Sequence, residues 1–171
     1  MTLGELGLMI NGEKWLEGGK RCDLVVIPCI GYTHQTRYRL IMPPSPNLKD
    51  MKSIYLYPST CLFEGTVVTP GRGTDSPFEI YGNPDMSYDF HFIPVSMPGA
   101  KNPRYMGETC YGVDLRGLRD EQIWAEKINL TYIIDAYKDL NIGDKFFGIS
   151  NHFDLLMGTD DIRKMIEEGK D

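Results

Sequence analysis

The chain has 171 residues, of which 42% are hydrophobic and 25% are charged, a balance typical of one globular domain with a hydrophobic core. Its formal net charge is −6, and an acidic chain without a basic run argues against a nucleic-acid-binding protein. No stretch reaches the ~18 consecutive apolar residues of a membrane span, and no basic and apolar leader pattern follows Met1. We therefore expect no membrane span and no export signal in the chain as given.

The N-terminal part is predicted to contain one helix and two strands. Thr2 and Glu5 have the spacing of a capping box, which predicts that a helix begins at Thr2. The apolar, β-branched run 23–28 predicts a buried strand, and the run 54–57 predicts another. The three prolines of 42–48 exclude a regular element there.

Three further strands and two helices are predicted in the rest of the chain. The alternation in 88–93 indicates a sheet with one buried face, and the spacing of apolar residues in 123–140 indicates an amphipathic helix. The segments are the strands 78–81, 88–93 and 109–115, a long loop over 96–107, and the helices 123–140 and 160–168. Together they predict an α+β fold: a mixed sheet with flanking helices and long ordered loops, in a single domain.

The cysteines and histidines give no metal signature. None of the four cysteines forms a C-x-x-C pair, which argues against a zinc ribbon, and we expect all four to be buried free thiols. No two histidines have the spacing of metal ligands, so structural or surface roles are expected for them. The sequence thus predicts neither a metal nor a cofactor; the residues concerned are Cys22, Cys29, Cys61, Cys110, His34, His91 and His152.

The loop over 61–78, CLFEGTVVTPGRGTDSPF, is the most unusual stretch of the sequence. A helical turn is predicted to run through Glu64 and to end at Gly65. Glu64 can act as a general acid, bind sugar hydroxyls, or brace its own loop. Arg72 lies between two glycines and can pair with a carboxylate or phosphate, with the N–H groups of the turn adding an anion site. The alternative is that Arg72 braces the loop against Glu64 or Asp75, and the residues alone leave both alternatives open.

The order of several loops resembles one known family. The segments that match are MTLGEL at 1–6, PPSPNL at 43–48, YPSTCLFEGTVVTPGRGTDSPFEIYGNP at 57–84 and FDLLMGTDDIRKMIEEG at 153–169. On these motifs the chain resembles domain-of-unknown-function family 1343, which is linked to the exo-β-N-acetylmuramidases of glycoside hydrolase family 171. The segment with EGT followed by GRGT and PF is the most specific, and the resemblance runs over nearly the whole chain.

The resemblance implies that residues 1–171 are the C-terminal subdomain of a longer protein, whose Rossmann-like N-terminal half precedes them. Such enzymes remove N-acetylmuramic acid from the non-reducing end of peptidoglycan fragments, which implies a secreted or periplasmic location. The active site is expected in a cleft shared with that other half, which is also expected to supply the principal catalytic glutamate. We therefore expect this chain alone to be inactive, and we assign no catalytic residue in it beyond Glu64 as a supporting carboxylate.

The resemblance also implies which side chains of this chain face the sugar. N-acetylmuramic acid carries a lactyl carboxylate, for which Arg72 is the expected partner, with Glu64 near the sugar or bracing Arg72. Tyr32 lies in a segment where many relatives place a tryptophan, and either ring offers a surface for stacking. Further hydrogen-bonding groups are expected from Asn47, Thr66, Thr74 and Glu5, although the capping box explains Glu5 without a ligand.

Three functions stay open at this point. The first is the substrate-binding half of a muramidase, the second a non-catalytic module that binds peptidoglycan sugars, and the third a purely structural or interaction domain. An exposed apolar patch where the other half docks favours the first. Sugar binding by the isolated chain favours the second, and an Arg72 that is fully paired inside its own loop favours the third.

Overall fold

A computed structural model of the chain describes residues 1–148 and 150–170. The contacts divide the chain into two compact units, Met1–Arg39 and a larger second unit that begins at Leu40. Several helices accompany a three-stranded sheet, which confirms the α+β class.

The first unit is built around one capped helix. Helix α1 spans Leu3–Gly12. The Glu5 N–H donates to Thr2 Oγ1 at 3.2 Å, and the Thr2 N–H donates to Glu5 Oε2 at 2.7 Å. These two bonds confirm the predicted capping box, and a short 3₁₀ turn follows at Glu17–Gly19.

The predicted buried strand at 23–28 is wrong in both respects. The segment forms no strand or bridge, and Val25 and Ile27 are 79% and 87% exposed. Its other side lies against α1, where a Cβ built on Gly4 would come within 2.5 Å of Val26 Cγ1. An extended segment becomes a strand only by pairing with a neighbour. None is present among the residues of the first unit, all of which the structure describes.

A three-stranded sheet lies in the second unit, with its third strand in the middle. Both strand pairs are antiparallel. The expectation of a mixed sheet is therefore wrong for these three strands, whereas the expectation of strands near 78–81, 88–93 and 109–115 is confirmed with shifted ends. The strands are β1 (Ile80–Asn83), β2 (Phe90–Phe92) and β3 (Cys110–Asp114).

The predicted strand 54–57 is wrong, because these residues lie in a helix. Helix α2 spans Met51–Thr60 and begins with a capping box between Asp50 and Ser53. The Ser53 N–H donates to Asp50 Oδ1 at 2.8 Å, and the Asp50 N–H donates to Ser53 Oγ at 3.3 Å. The cap, together with the burial of Leu56 in the core, overrides the β propensity of this short run.

The predicted single helix 123–140 is two helices. The break falls at Lys127, whose φ of +57° is incompatible with a right-handed helix. The predicted final helix is confirmed to within one residue at each end, and a short helix before it was not predicted. The helices are α3 (Asp120–Glu126), α4 (Thr131–Leu140), α5 (His152–Met157) and α6 (Asp161–Glu167), with a 3₁₀ turn at Gly143–Phe147.

The hydrophobic core of the second unit fixes the start of the loop over 61–78. Phe63 is fully buried and stacks on Tyr81 of β1, with ring centroids 4.4 Å apart. Beside it, Gly65 lies so close to α5 that a Cβ there would come within 2.5 Å of the backbone of Phe153. The same cluster includes Leu56, Ile123, Ile133, Phe146, Phe153 and Ile166 from the surrounding helices and turns.

The four cysteines are free thiols, but only one of them is buried. Cys110 lies in the sheet, Cys61 is partly buried, and Cys22 and Cys29 are exposed. The prediction that all four are buried is wrong, because residues 1–39 include none that is buried.

Candidate functional site

The loop over 61–78 begins with the helical turn that the sequence predicts. This 3₁₀ turn spans Cys61–Gly65. Leu62 and Phe63 are buried, so Glu64 is held at the edge of the core with its side chain 25% exposed. The Thr60 hydroxyl does not cap the turn. It lies 3.0 Å from the carbonyl of Leu56 and 3.1 Å from the carbonyl of Phe78, which ties α2 to the far end of the loop.

Arg72 and Glu64 form an ion pair inside this loop. Arg72 Nε and Nη2 each lie 2.7 Å from Glu64 Oε1. Both nitrogens therefore bind the same oxygen, in contrast to the usual fork that uses two. Among the residues that the structure describes, Arg72 Nη1 and Glu64 Oε2 make no hydrogen bond. The bracing alternative thus holds for one edge of each group, while the other edges stay available to a ligand.

Two aromatic side chains support the ion pair, and the sequence did not single out either as a site residue. The Arg72 guanidinium carbon lies 5.2 Å from the ring centroid of Phe78. Tyr57 packs edge-on against the same ring at 4.8 Å. Burial, followed by the neighbouring Cys61 and Glu64, raises the pKa of Tyr57. An arginine between two glycines predicts an anion site, but nothing in the sequence indicates which ring lies beside it.

Phe78 has an unusual backbone conformation. Its φ is +67°, a region that a bulky residue rarely adopts, with a cost of order 1–3 kcal/mol. Two contacts hold it there: the Phe78 N–H donates to the carbonyl of Pro70 at 2.7 Å, and the Phe78 carbonyl lies 3.1 Å from the Thr60 hydroxyl. Contacts from both sides of the loop therefore maintain the strained backbone conformation of Phe78.

Thr66 and Thr74, both predicted to face the sugar, use their hydroxyls to shape the loop. Thr66 is buried, donates to the carbonyl of Phe63 at 3.0 Å and accepts from the N–H of Val68 at 3.1 Å. Thr74 donates to the carbonyl of Gly71 at 2.7 Å and accepts a 3.2 Å bond from the Ser76 N–H. Their main physical role is to fix the turns that flank Arg72.

Asn47 is also committed to a neighbouring loop. It is buried, and its side-chain amide donates to the carbonyl of Gly99 at 3.0 Å. The loop over 94–107 thus contacts the PPSPNL segment through this bond. Asn47 stays a predicted ligand only through its amide oxygen, for which no hydrogen bond is present among the described residues.

The long loop over 94–107 braces the loop over 61–78 directly. The hydroxyl of Tyr105 donates to the carbonyl of Val67 at 2.7 Å, and the Asn83 side-chain amide donates to the same carbonyl at 3.0 Å. Arg104 Nη1 donates to the carbonyl of Thr66. These bonds hold the backbone just after Glu64, which the sequence did not predict, because no local pattern links the two loops.

A buried carboxyl lies directly behind Phe78. Glu79 is 8% exposed, and its carboxyl makes no hydrogen bond within 1–148 or 150–170. Burial, with Asp50 adding to it, raises the pKa of Glu79 against the opposing effect of Lys52 and Arg116. We therefore expect the Glu79 carboxyl to affect the folding stability at the base of the loop, and it is not part of the Arg72–Glu64 ion pair.

Glu5 and Tyr32, the remaining predicted site residues, belong to the first unit. Glu5 Oε2 lies 3.0 Å from His34 Nε2. Hydrogen bonding from the Thr2 backbone, and then from His34, lowers the pKa of Glu5. Tyr32 is 50% exposed, which leaves its ring available for stacking. No cluster of three potential metal ligands occurs among the described residues, and no described helix is long and apolar enough to cross a membrane.

Comparison with protein families matches both parts of the chain. Residues 55–171 match the C-terminal family of the exo-β-N-acetylmuramidase NamZ, and residues 1–52 match the NamZ N-terminal family. The chain belongs to the exo-β-N-acetylmuramidase NamZ family. The resemblance seen in the loop motifs is thereby confirmed.

Two relatives of this NamZ-family chain are longer proteins. It is 32% identical to the peptidoglycan β-N-acetylmuramidase NamZ of Bacillus subtilis (strain 168), over 99% of this chain and 44% of that protein. It is 60% identical to a DUF1343 family protein from Bacteroides fragilis NCTC 9343 with a crystal structure, at a TM-score of 0.92, over 100% of this chain and 48% of the other. The chain thus spans about half the length of these relatives.

Proposed function

We propose that this chain is the part of a peptidoglycan β-N-acetylmuramidase that recognises the N-acetylmuramic acid residue at the non-reducing end of peptidoglycan fragments. Membership of the NamZ family supports the reaction class. The observation that carries the proposal is the partly exposed Arg72–Glu64 pair, in which Arg72 Nη1 and Glu64 Oε2 have no hydrogen-bond partner in the described residues.

The lactyl carboxylate distinguishes N-acetylmuramic acid from N-acetylglucosamine, and Arg72 is the side chain that we propose binds this carboxylate. A guanidinium binds a carboxylate through a planar pair of N–H groups. The support from Phe78 keeps the Arg72 plane fixed, so less side-chain entropy is lost when the ligand binds. Glu64 accepts from Arg72 on Oε1 and has Oε2 available for a sugar hydroxyl.

Glycoside hydrolysis uses two carboxyl groups on opposite sides of the scissile bond. In the loop over 61–78, Glu64 is the candidate for a supporting carboxyl. We propose that the principal catalytic carboxyl comes from outside this chain. On this view the site lies in a cleft that a further, Rossmann-like segment completes. The cell-wall substrate makes a secreted or periplasmic location part of the same proposal.

The first unit supports the existence of such a segment on physical grounds. None of residues 1–39, all of which the structure describes, is buried, and so small a unit without a core is not stable by itself. The backbone groups of 23–28 make no hydrogen bond among the described residues, and Val25 and Ile27 point their apolar side chains away from α1 into solvent. We propose that 23–28 becomes a strand of a sheet supplied by the further segment. That 1–171 form one C-terminal subdomain remains part of this proposal.

Hydrogen exchange tests the completion of the first unit. In this chain alone, the amides of 23–27 are expected to exchange at nearly the rate of an unfolded peptide, while those of β3 are protected. Strong protection of 23–28 in the isolated chain would contradict the proposal, because it would show that the segment already has a partner.

A disaccharide assay tests the activity. Calorimetry and product analysis on the same samples would compare the MurNAc–GlcNAc and GlcNAc–GlcNAc disaccharides with this chain alone. The expected result is preferential binding of MurNAc–GlcNAc without release of N-acetylmuramic acid. A non-catalytic sugar-binding module would bind in the same way, and membership of the NamZ family is what favours the muramidase over that alternative. Equal binding of both disaccharides would contradict the proposed recognition. Steady release would contradict the need for a further carboxyl, and Glu64→Gln would then identify the contribution of Glu64.

A further inference from the structure

The side chain of Arg72 is held by an aromatic ring as well as by an acid. The guanidinium carbon lies 5.2 Å from the centroid of the Phe78 ring, within the ~6 Å range of a cation–π contact. On another side, the Arg72 Nε–H donates to Glu64 Oε1, and Nη2 lies 2.7 Å from the same oxygen as an ion-pair contact. Arg72 is 36% exposed, so these two contacts are what keeps a long, flexible side chain in one position.

The ring of Phe78 reaches this position only through a left-handed backbone. Its φ is +67°, where glycine is the usual residue because it has no Cβ to clash. A glycine would remove the strain and also the ring. The conformation is enforced by bonds from the Phe78 N–H to Pro70 and from the Thr60 hydroxyl to the Phe78 carbonyl. The ring itself is 1% exposed, and Tyr57 packs against it edge-on.

We infer that Phe78 is a positioning residue for carboxylate recognition, whose strained backbone places its ring against Arg72 and fixes the guanidinium that binds the ligand. The inference rests on the proposed function only for the identity of the ligand. The link between Phe78 and Arg72 is a property of the chain itself and can be measured without any sugar.

The direct readout is the Nε–H resonance of Arg72 in ¹⁵N-labelled protein. In the wild type, this proton is expected to show contacts to the Phe78 ring protons and slow exchange with water. Phe78→Leu keeps an apolar side chain at the same strained position but removes the π face. Exchange of the Arg72 Nε–H should then accelerate about two- to fivefold, as expected for the loss of one cation–π contact.

The chain contains a matched control. Arg116 Nε donates to Asp114 Oδ1 at 2.8 Å, and the Arg116 guanidinium carbon lies 5.7 Å from the ring centroid of Phe90. Phe90→Leu should therefore accelerate exchange at Arg116 and leave Arg72 unchanged, while Phe78→Leu should do the reverse. A merely structural role of Phe78 would change the unfolding temperature without this selectivity.

The results separate the inference from the proposed function. If folded Phe78→Leu exchanges the Arg72 Nε–H at the wild-type rate, the inference is overturned, whether or not the chain binds either sugar. If Phe78→Leu does not fold, absence of contacts between the Arg72 Nε–H and the Phe78 ring in the wild type overturns it instead. In a titration with N-acetylmuramic acid, Phe78→Leu should weaken binding about two- to fivefold and leave binding of N-acetylglucosamine unchanged. If the wild type binds neither sugar, but Phe78→Leu still accelerates exchange of the Arg72 Nε–H, the role of Phe78 is upheld and the proposed function is contradicted.

Discussion

Gly65 is predicted to be the residue of the EGT motif that tolerates substitution least, for steric reasons. A Cβ at this position would lie 2.5 Å from both the N and Cα atoms of Phe153, in the first turn of α5. These are backbone atoms, so no side-chain rotation relieves the clash, and α5 has to move by about 1 Å to reach ordinary van der Waals contact. Overpacking of a well-packed core costs about 1–3 kcal/mol.

Gly65→Ala should therefore lower the midpoint of thermal unfolding by about 2–12 °C, since 1 kcal/mol corresponds to about 2–4 °C in a chain of this size. Gly117→Ala is the matched control, because a Cβ there meets nothing within 4 Å, and its effect should stay within about 0.5 kcal/mol. Calorimetric unfolding of the two variants and the wild type measures the difference. Equal midpoints for both variants would refute the close packing of this loop on α5.

Two further predictions concern titratable groups. Glu79→Gln should raise stability at pH 7, because burial raises the Glu79 pKa above its ordinary value of 4.5 and makes the ionised form unfavourable in the folded state. The native state binds this proton more tightly than the unfolded state, so the gain should disappear below pH 4.5; a gain that persists in acid would contradict the role of the buried Glu79 carboxyl. In alkylation of the native chain, exposed Cys22 and Cys29 should react quickly. Cys110 should react only on unfolding, because burial raises its pKa to about 12, and rapid labelling of Cys110 would contradict its placement in β3.

The elements that sequence patterns predict well are those whose signals are local. The capping box at Thr2 and Glu5 and the alternation around β2 each lie within a few residues, and both elements form close to where they were expected. The run 54–57 has strand-like composition, yet it is helical, because the cap at Asp50 and the burial of Leu56 decide its structure. A four-residue apolar run is too short for its period to separate helix from strand.

The segment 23–28 shows a different limit. Its apolar, β-branched composition is typical of a strand, but no residue of the first unit pairs with it, and the predicted strand is absent there. A strand is a property of two segments. A local pattern therefore does not establish a strand where the pairing segment is absent.

The sequence predicted the charged residues of the candidate site, but it did not predict the residues that support them. An arginine between glycines, eight residues after an acid, indicated either a ligand site or an internal brace, and the Arg72–Glu64 pair forms the brace while the ligand site stays a proposal. The ring of Phe78 could not be predicted to lie against Arg72, since a φ of +67° is rare for phenylalanine. The brace from Tyr105 to Val67 spans 38 residues, which no local pattern records.

The proposed recognition of the lactyl carboxylate of N-acetylmuramic acid by Arg72 can be tested by a titration that is followed through amide resonances. We expect N-acetylmuramic acid to shift resonances of Glu64, Gly65 and the turn over 71–75, and N-acetylglucosamine to shift them far less. Arg72→Lys should remove most of this difference. Arg72→Lys is informative because lysine keeps the charge but cannot make the planar pair of N–H bonds. Equal responses to the two sugars in the wild type, or an unchanged difference in Arg72→Lys, would contradict the claim.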